Sequence, residues 1–86
     1  MIKIWFKLLT ENSIVKSKIF TMVDRINEEN FFELTRQGCE DFDIPTPLIL
    51  SVHYQNYLDF NHCVFKPRDF IETFPYDKLI LENAIE

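Results

Sequence analysis

The spacing of apolar residues changes once along this chain, and that change limits the fold more than any other feature. Over roughly the first 23 residues apolar and polar side chains alternate, which is typical of half-buried strands. From Ile26 to Phe42 the apolar residues recur instead at helical spacing, with charged side chains on the opposite side. The sequence therefore predicts strands followed by one main helix, Ile26–Phe42.

Both ends of this helix are marked in the sequence by residues that start or stop helices. Asp24 or Asn27 can cap its first turn, and Pro45 and Pro47 prevent it from continuing. Three acids lie at its last turn or just beyond it: Glu40, Asp41 and Asp43. The helix dipole disfavours negative charge at this end. We interpret the acids as a solvated helix end, or else as a contact for a basic partner.

The alternating region divides into two strands joined by a short polar turn, which together predict an antiparallel hairpin. In IKIWFKLL one face carries Ile2, Ile4, Phe6 and Leu8, and the other carries Lys3, Trp5, Lys7 and Leu9. In IVKSKIFTMV we expect Lys16 and Lys18 to face outward. The inward side chains are expected to be Val15, Ile19 and Val23.

The second half of the chain contains shorter elements. PLILSV is continuously apolar and predicts an inner strand. HYQNYLDFN predicts a short helix or structured loop near residues 53–59, and CVFK a brief strand. PRDFIETF predicts a helical segment at 67–73 with Pro67 in its first turn, and the final YDKLILENAIE alternates as a strand.

These elements predict one compact α+β domain spanning residues 1–86. We expect an antiparallel or mixed sheet of about four strands, with the main helix packed on one face and short helical connections. The expected core residues are Ile4, Phe6, Leu8, Phe31, Leu34, Phe42, Leu48, Leu50, Phe70, Ile71, Leu79 and Leu81.

Composition excludes several classes of protein. The single glycine, Gly38, leaves no glycine-rich phosphate loop. No stretch approaches the roughly 18 apolar residues of a membrane helix, and the N-terminal segment does not have the pattern of a signal peptide. We therefore expect Cys39 and Cys63 to be free thiols in a reduced cytoplasmic protein.

Charge is unevenly distributed within a formal net charge of −5. Residues 1–23 carry four lysines and one glutamate, whereas residues 24–43 carry seven acids and two arginines. A general nucleic-acid binder usually has a broad basic footprint. Nucleic acid is therefore not the partner that this sequence predicts.

Three motifs follow one another in the second half of the chain. They are C-x-x-F-D-I-x-x-P-L-I-L from Cys39, F-x-x-x-x-F-I-E from Phe65 and D-x-L-x-L from Asp77. Together with the W-x-K start at Trp5 and Lys7 and the acidic final strand, they resemble a family of short bacterial proteins of unknown function. The resemblance implies one compact domain and assigns no activity, cofactor or catalytic residue. Outside its pattern lie His53, His62 and Cys63.

Metal and nucleophile chemistry has four candidate residues, namely Cys39, His53, His62 and Cys63. Zinc sites usually use closely spaced ligand pairs, and the chain has no C-x-x-C or H-x-x-x-H. Adjacent side chains in a strand point to opposite faces, so His62 and Cys63 are not expected to bind one ion together. We predict structural thiols and no metal or cofactor. A small enzyme that uses Cys63 with a histidine base remains an alternative.

The outer face of the hairpin is the strongest candidate for a binding surface. If the hairpin forms as predicted, four lysines surround one tryptophan: Lys3, Trp5, Lys7, Lys16 and Lys18. Such a surface would bind an acidic partner or nucleic acid, with Trp5 as its hot-spot or stacking anchor. We favour the alternative that Glu82 and Glu86 of the final strand neutralise the lysines, with Trp5 packed over the lysine stems.

Three functional hypotheses follow. The first is a non-enzymatic module that binds another protein, and a free edge strand with an exposed Trp5 would also allow a homodimer. The second is an acidic inhibitor that mimics nucleic acid and binds a basic protein through Glu29, Glu33 and Glu40. The third is the small cysteine-dependent enzyme.

Overall fold

The computed structural model describes residues 2–22 and 25–84. Its strands are β1 (Ile2–Thr10), β2 (Ser13–Met22), β3 (His62–Phe65) and β4 (Lys78–Asn83), and its helices are α1 (Glu28–Asp41) and α2 (Ser51–Phe60). A single 3-10 turn covers Pro67–Asp69. The strands form one antiparallel sheet in the order β2-β1-β4-β3. The predicted α+β class and four-stranded sheet are confirmed.

The hairpin of β1 and β2 closes on a two-residue turn. Glu11 and Asn12 both have positive φ, which is the requirement of a type I′ turn. Asp77 holds this turn, because its carboxylate accepts a hydrogen bond from the Glu11 backbone N–H at 2.6 Å. The register shifts between Leu8 and Leu9, so the pairing is continuous only between Ile2–Leu8 and residues 16–22 of β2.

Helix α1 begins and ends with satisfied backbone groups. Asn27 is its N-cap, and the side chains of Asn27 and Asn30 each accept a hydrogen bond from the other residue's backbone N–H. Asp24, the alternative cap, lies outside the described residues. At the other end Asp43 adopts the left-handed conformation, and bonds from Asp43 and Ile44 back to Glu40 and Cys39 form a Schellman motif.

The core lies between one face of the sheet and the two helices. Alternate residues of β1 from Ile2 to Leu8 are buried, as are Leu79 and Leu81 of β4. Phe6 is surrounded by aromatic rings, with the Phe20 and Phe42 centroids at 4.8 Å and 6.3 Å. Nine of the expected core residues are buried: Ile4, Phe6, Leu8, Phe31, Leu34, Phe42, Phe70, Leu79 and Leu81.

Three expected core residues are exposed. Leu48 and Leu50 are 55% and 51% exposed, and Ile71 is 88% exposed. The first two lie in an irregular segment before α2 rather than in the inner strand predicted for PLILSV. Ile71 lies in a bend after the 3-10 turn, because the helical segment predicted at 67–73 stops at Asp69. Phe70 and Phe74 enter the core instead and stack with their centroids 4.0 Å apart.

The three sequence motifs that begin at Cys39, Phe65 and Asp77 contain both buried and exposed positions. Cys39, Phe42, Phe65, Phe70 and Leu79 are buried. The leucines around residue 49 and the isoleucine of F-I-E are exposed. Core packing therefore explains only part of these three motifs.

Candidate functional site

The strand register divides the predicted basic surface between the two faces of the sheet. Trp5 is paired with Ile19 and Lys7 with Ser17, so these side chains share the face away from the helices, where Lys3 also lies. Lys18 is paired with Phe6 and Lys16 with Leu8, so both share the helix-covered face. The expected cluster of four lysines around Trp5 is therefore wrong.

The sidedness expected for β2 is reversed as a whole. Val15 and Ile19 are about half exposed rather than inward, at 49% and 53%. Phe20 and Met22, in the same alternation as Lys16 and Lys18, pack against the core. Val23, the third residue expected to face inward, lies outside the described residues.

Lys16 and Lys18 contact the C-terminal end of α1. The Lys18 Nζ lies 3.0 Å from Oδ2 of Asp41, and the Lys16 Nζ donates to the carbonyl of Phe42 at 3.4 Å. Positive side chains are favourable at this end of a helix, and α1 has no basic residue in its own last turn. Asp41, one of the acids at the end of α1, thus has a basic partner within the chain.

On the other face Trp5 and Lys7 belong to one ordered group. The Lys7 Nζ lies 2.9 Å from Oε1 of Glu82 and 4.3 Å from the centroid of the Trp5 ring. Glu82 is paired directly with Trp5 across β1 and β4. This contact confirms the expected neutralisation of a lysine by Glu82. Glu86, the second acid expected there, lies outside the described residues.

We call the face that carries Trp5 the open sheet face. None of its residues is buried, whereas the opposite face carries the core and both helices. Its residues are Lys3, Trp5, Lys7, Leu9, Ile14, Ser17, Ile19, Thr21, His62, Val64, Lys78, Ile80 and Glu82. An antiparallel sheet with one uncovered face usually presents polar side chains there, so the apolar residues on this face call for an explanation.

The charge of the open sheet face differs in sign from that of the whole chain. It carries three lysines and one glutamate, a net of +2, while the chain has a formal net charge of −5. Lys7 is paired with Glu82. No ion pair among the described residues involves Lys3 or Lys78. The face therefore combines apolar area with uncompensated positive charge.

The acidic face proposed for α1 is partly neutralised by the helix itself. Arg36 forms ion pairs with Glu33 and with Glu40, the latter at 2.7 Å. The hydrogen bond from the Arg36 guanidinium lowers the pKa of Glu33. Glu29 is exposed beside Phe32, which is 47% exposed. A mimic of nucleic acid needs a row of unpaired carboxylates, and two of the three proposed acids share one arginine.

Both thiols lie in the core. Cys39 on α1 and Cys63 on β3 are free, and each is at most 1% exposed. Burial raises the pKa of each thiol to about 12, which favours the protonated form over the nucleophilic thiolate. His62 is exposed on the opposite face of β3, so the predicted divergence of His62 and Cys63 is confirmed.

The remaining candidates are a metal centre and two shallow depressions of the surface. Among residues 2–22 and 25–84, no group of three or more His, Cys, Asp or Glu side chains is placed to hold a metal ion. A shallow depression of about 490 Å³ is lined by Asp43, Ile44, Pro45, Glu72 and Thr73, and another of about 440 Å³ by Glu28, Glu29, Phe32 and Glu33. Cysteine and histidine are absent from the described residues that line them.

Comparisons with known proteins do not assign the chain to a family. No protein-family model matches the chain, and searches of curated proteins and of solved structures found no match. Among the described residues, neither helix combines the length and the apolar character that crossing a membrane requires.

Proposed function

We propose that this chain is a non-enzymatic module that binds another protein through the open sheet face. The observation that carries the proposal is the group of apolar side chains on that uncovered face, which includes Trp5. Trp5 pairs with the exposed Ile19 on one side, and Val64 and Ile80 lie beyond Lys7 on the other. Apolar side chains grouped with lysines on one uncovered face of a small domain are characteristic of an interaction surface.

The contacts that hold the Trp5 side chain in place support its role as an anchor. Lys7 lies over the ring and is itself fixed by Glu82, so few side-chain rotamers would be lost on binding. Tryptophans at the centre of an apolar patch are frequent hot spots of protein interfaces. The positive charge of Lys3 and Lys78 indicates a partner surface that is apolar at its centre and acidic at its rim.

The buried thiols support the non-enzymatic part of the proposal, because Cys39 and Cys63 lie in the core in their protonated form. Their free state also fits the reducing cytoplasm, where we place the protein. We include a second copy of this chain among the proposed partners, because one edge of β2 has no partner strand within residues 2–22 and 25–84 and such an edge can accept another strand.

Site-specific photo-crosslinking in cells of the source organism tests the proposal. A photoreactive phenylalanine analogue is placed at His62, which is exposed on the open sheet face at the end remote from β2. We expect a discrete covalent adduct with another protein. Trp5→Ala and Lys3→Glu should each reduce its yield, since they remove the anchor and reverse one charge.

The matched control carries the same analogue at Phe32, an exposed aromatic position on α1 at the opposite side of the molecule. We expect no adduct or a different one from this position. Equal adducts from both positions, or none from position 62, would refute binding through the open sheet face. Circular dichroism of Trp5→Ala and Lys3→Glu establishes that any loss is not caused by unfolding.

A further inference from the structure

We infer that the free edge of β2 pairs with β2 of a second copy, antiparallel and with Ile19 on the two-fold axis. This inference rests on the proposed binding function and deepens it by naming one partner and its register. The strand order leaves β2 hydrogen-bonded to β1 alone, so its second edge has no partner strand among the described residues. The strand is also long, at ten residues, and contains no proline.

The usual protection of an edge strand is missing from β2. Proteins commonly guard such edges with lysines, prolines or bulges. The two lysines of β2 do not serve that purpose, because their ammonium groups are held over α1 by Asp41 and by the Phe42 carbonyl. The register shift lies near the turn, opposite Leu8 and Leu9, and leaves the rest of the edge regular.

The regular part of the strand defines the axis. Continuous pairing with β1 runs from Lys16 to Met22, and the midpoint of that segment is Ile19. A two-fold axis at Ile19 therefore uses the whole segment. Lys16 then lies opposite the partner's Met22, Ser17 opposite the partner's Thr21, and Lys18 opposite the partner's Phe20.

Charge selects the same register. An axis at Ser17 places Lys16 opposite the partner's Lys18, and an axis at Lys18 places Lys18 opposite itself. Like charges that face each other across strands are destabilising. With the axis at Ile19 each lysine faces an apolar side chain, and Lys18 already lies 5.2 Å from the centroid of its own Phe20 ring. Moving the axis toward Met22 shortens the paired segment.

The pairing would also join the open sheet faces of the two copies. Trp5 is the direct neighbour of Ile19 across β1 and β2. With Ile19 opposite its symmetry mate, the outer face carries a continuous row of Trp5, Ile19, the partner's Ile19 and the partner's Trp5. The half-exposed Ile19 gains an apolar neighbour, and the product is an eight-stranded sheet with both tryptophans on one face.

Disulfide trapping in the purified protein tests this register. Cys39 and Cys63 remain in place because they are buried. We expect Ile19→Cys to form a covalent dimer rapidly on mild oxidation, because residue 19 faces itself across the axis. Ser17→Cys alone should not, since residue 17 lies two positions from the axis on each strand, whereas the double variant Ser17→Cys with Thr21→Cys should.

Sedimentation of the protein without added cysteines provides the second measurement. We expect about twice the 10.4 kDa mass of one chain, and a monomer for Ile19→Lys with an unchanged circular dichroism spectrum. A monomer at the concentrations used for solution NMR would overturn the inference, and so would trapping of Ser17→Cys as readily as Ile19→Cys. A monomer that still forms hetero-protein adducts at position 62 would overturn the pairing and leave the proposed function standing.

Discussion

At the scale of single residues, Gly38 shows how closely α1 approaches the sheet. A β-carbon built at Gly38 would overlap the ring of Phe6. That ring is fully buried and has Phe20 and Phe42 against it, and these contacts oppose its displacement. The glycine is therefore required by packing, since its φ is not positive.

We predict that Gly38→Ala destabilises the protein even though alanine is the better helix former. The gain in helix propensity is about 1 kcal/mol, whereas overpacking of a core typically costs about 1–3 kcal/mol. Urea denaturation should show a lower free energy of unfolding. Gln37→Ala, at the exposed neighbouring position, is the matched control and should be neutral or slightly stabilising. A Gly38→Ala variant as stable as the parent would contradict the packing argument.

The sequence did not reveal which face of β2 points toward the core. Its alternation is clear, but each face mixes apolar and polar residues, so either face could have been the inner one. The deciding contacts come from α1, whose C-terminal end accepts Lys16 and Lys18. The sidedness of β1 was predictable, because Ile2, Ile4, Phe6 and Leu8 form an unbroken apolar face.

At the scale of elements, α2 begins with an unusual cap. The backbone N–H of Leu50 donates to Nδ1 of His53 at 2.9 Å, in the position that Asn30 occupies at the start of α1. His53 is 7% exposed and packs against the Phe65 ring, with the centroids 4.5 Å apart. Burial lowers the pKa of His53, although the negative charge of Asp69 acts in the opposite direction.

We predict that this histidine makes stability depend on pH. The pKa of His53 is lower in the folded state than the ordinary value of 6.5, so below that value the unfolded chain binds more protons. Its contribution to stability is complete above pH 6.5 and is lost as the pH falls through the folded pKa. The free energy of unfolding measured in urea should therefore decrease between about pH 7 and pH 5.

His53→Asn is the control for this effect. An asparagine at this position can still accept the hydrogen bond from Leu50, as Asn30 does for Asn27, but it does not titrate. The variant should show a smaller decrease in stability over the same pH range. An unchanged pH dependence would mean that carboxylates, rather than His53, are responsible.

Elements whose apolar residues recur at a regular spacing were predicted correctly. Segments without such a spacing were not. Helix Ile26–Phe42 was expected, and α1 spans Glu28–Asp41. PLILSV has no period, and a short apolar run cannot be assigned to a strand by periodicity alone. Its Leu48 N–H makes one long-range backbone bond, to Asp69 at 2.7 Å, instead of a strand ladder. The composition of the open sheet face could not be predicted, because it depends on the order of the strands in the sheet and no local sequence pattern contains that order.

At the scale of the whole molecule, the buried residues of strands and helices form one cluster. Cys39 on α1 and Cys63 on β3 are both members, although 24 positions separate them in the sequence. A single core of this kind favours cooperative unfolding. The two thiols therefore report on the opening of different parts of the same structure.

We predict that both thiols react with a labelling reagent only when the whole domain unfolds. Each should react at least about a thousandfold more slowly than an exposed thiol, since domains of this size are stable by at least about 5 kcal/mol. Mass spectrometry of the labelled peptides should give equal rates for Cys39 and Cys63. Ser17→Cys supplies the exposed reference. Much faster labelling of one native thiol would show that its element opens separately.

The strand order also determines when the central strands can pair during synthesis. The two central strands, β1 and β4, come from opposite ends of the described sequence, with Ile4 paired to Asn83. From the end of β2 at Met22 to the start of β4 at Lys78 the ribosome adds 78 − 22 = 56 residues, which takes roughly 3–11 s at 5–20 residues per second. Throughout that interval the newborn hairpin has no central neighbour, and an isolated hairpin is marginal in water. The four-stranded sheet can therefore be completed only after β4 has been synthesised.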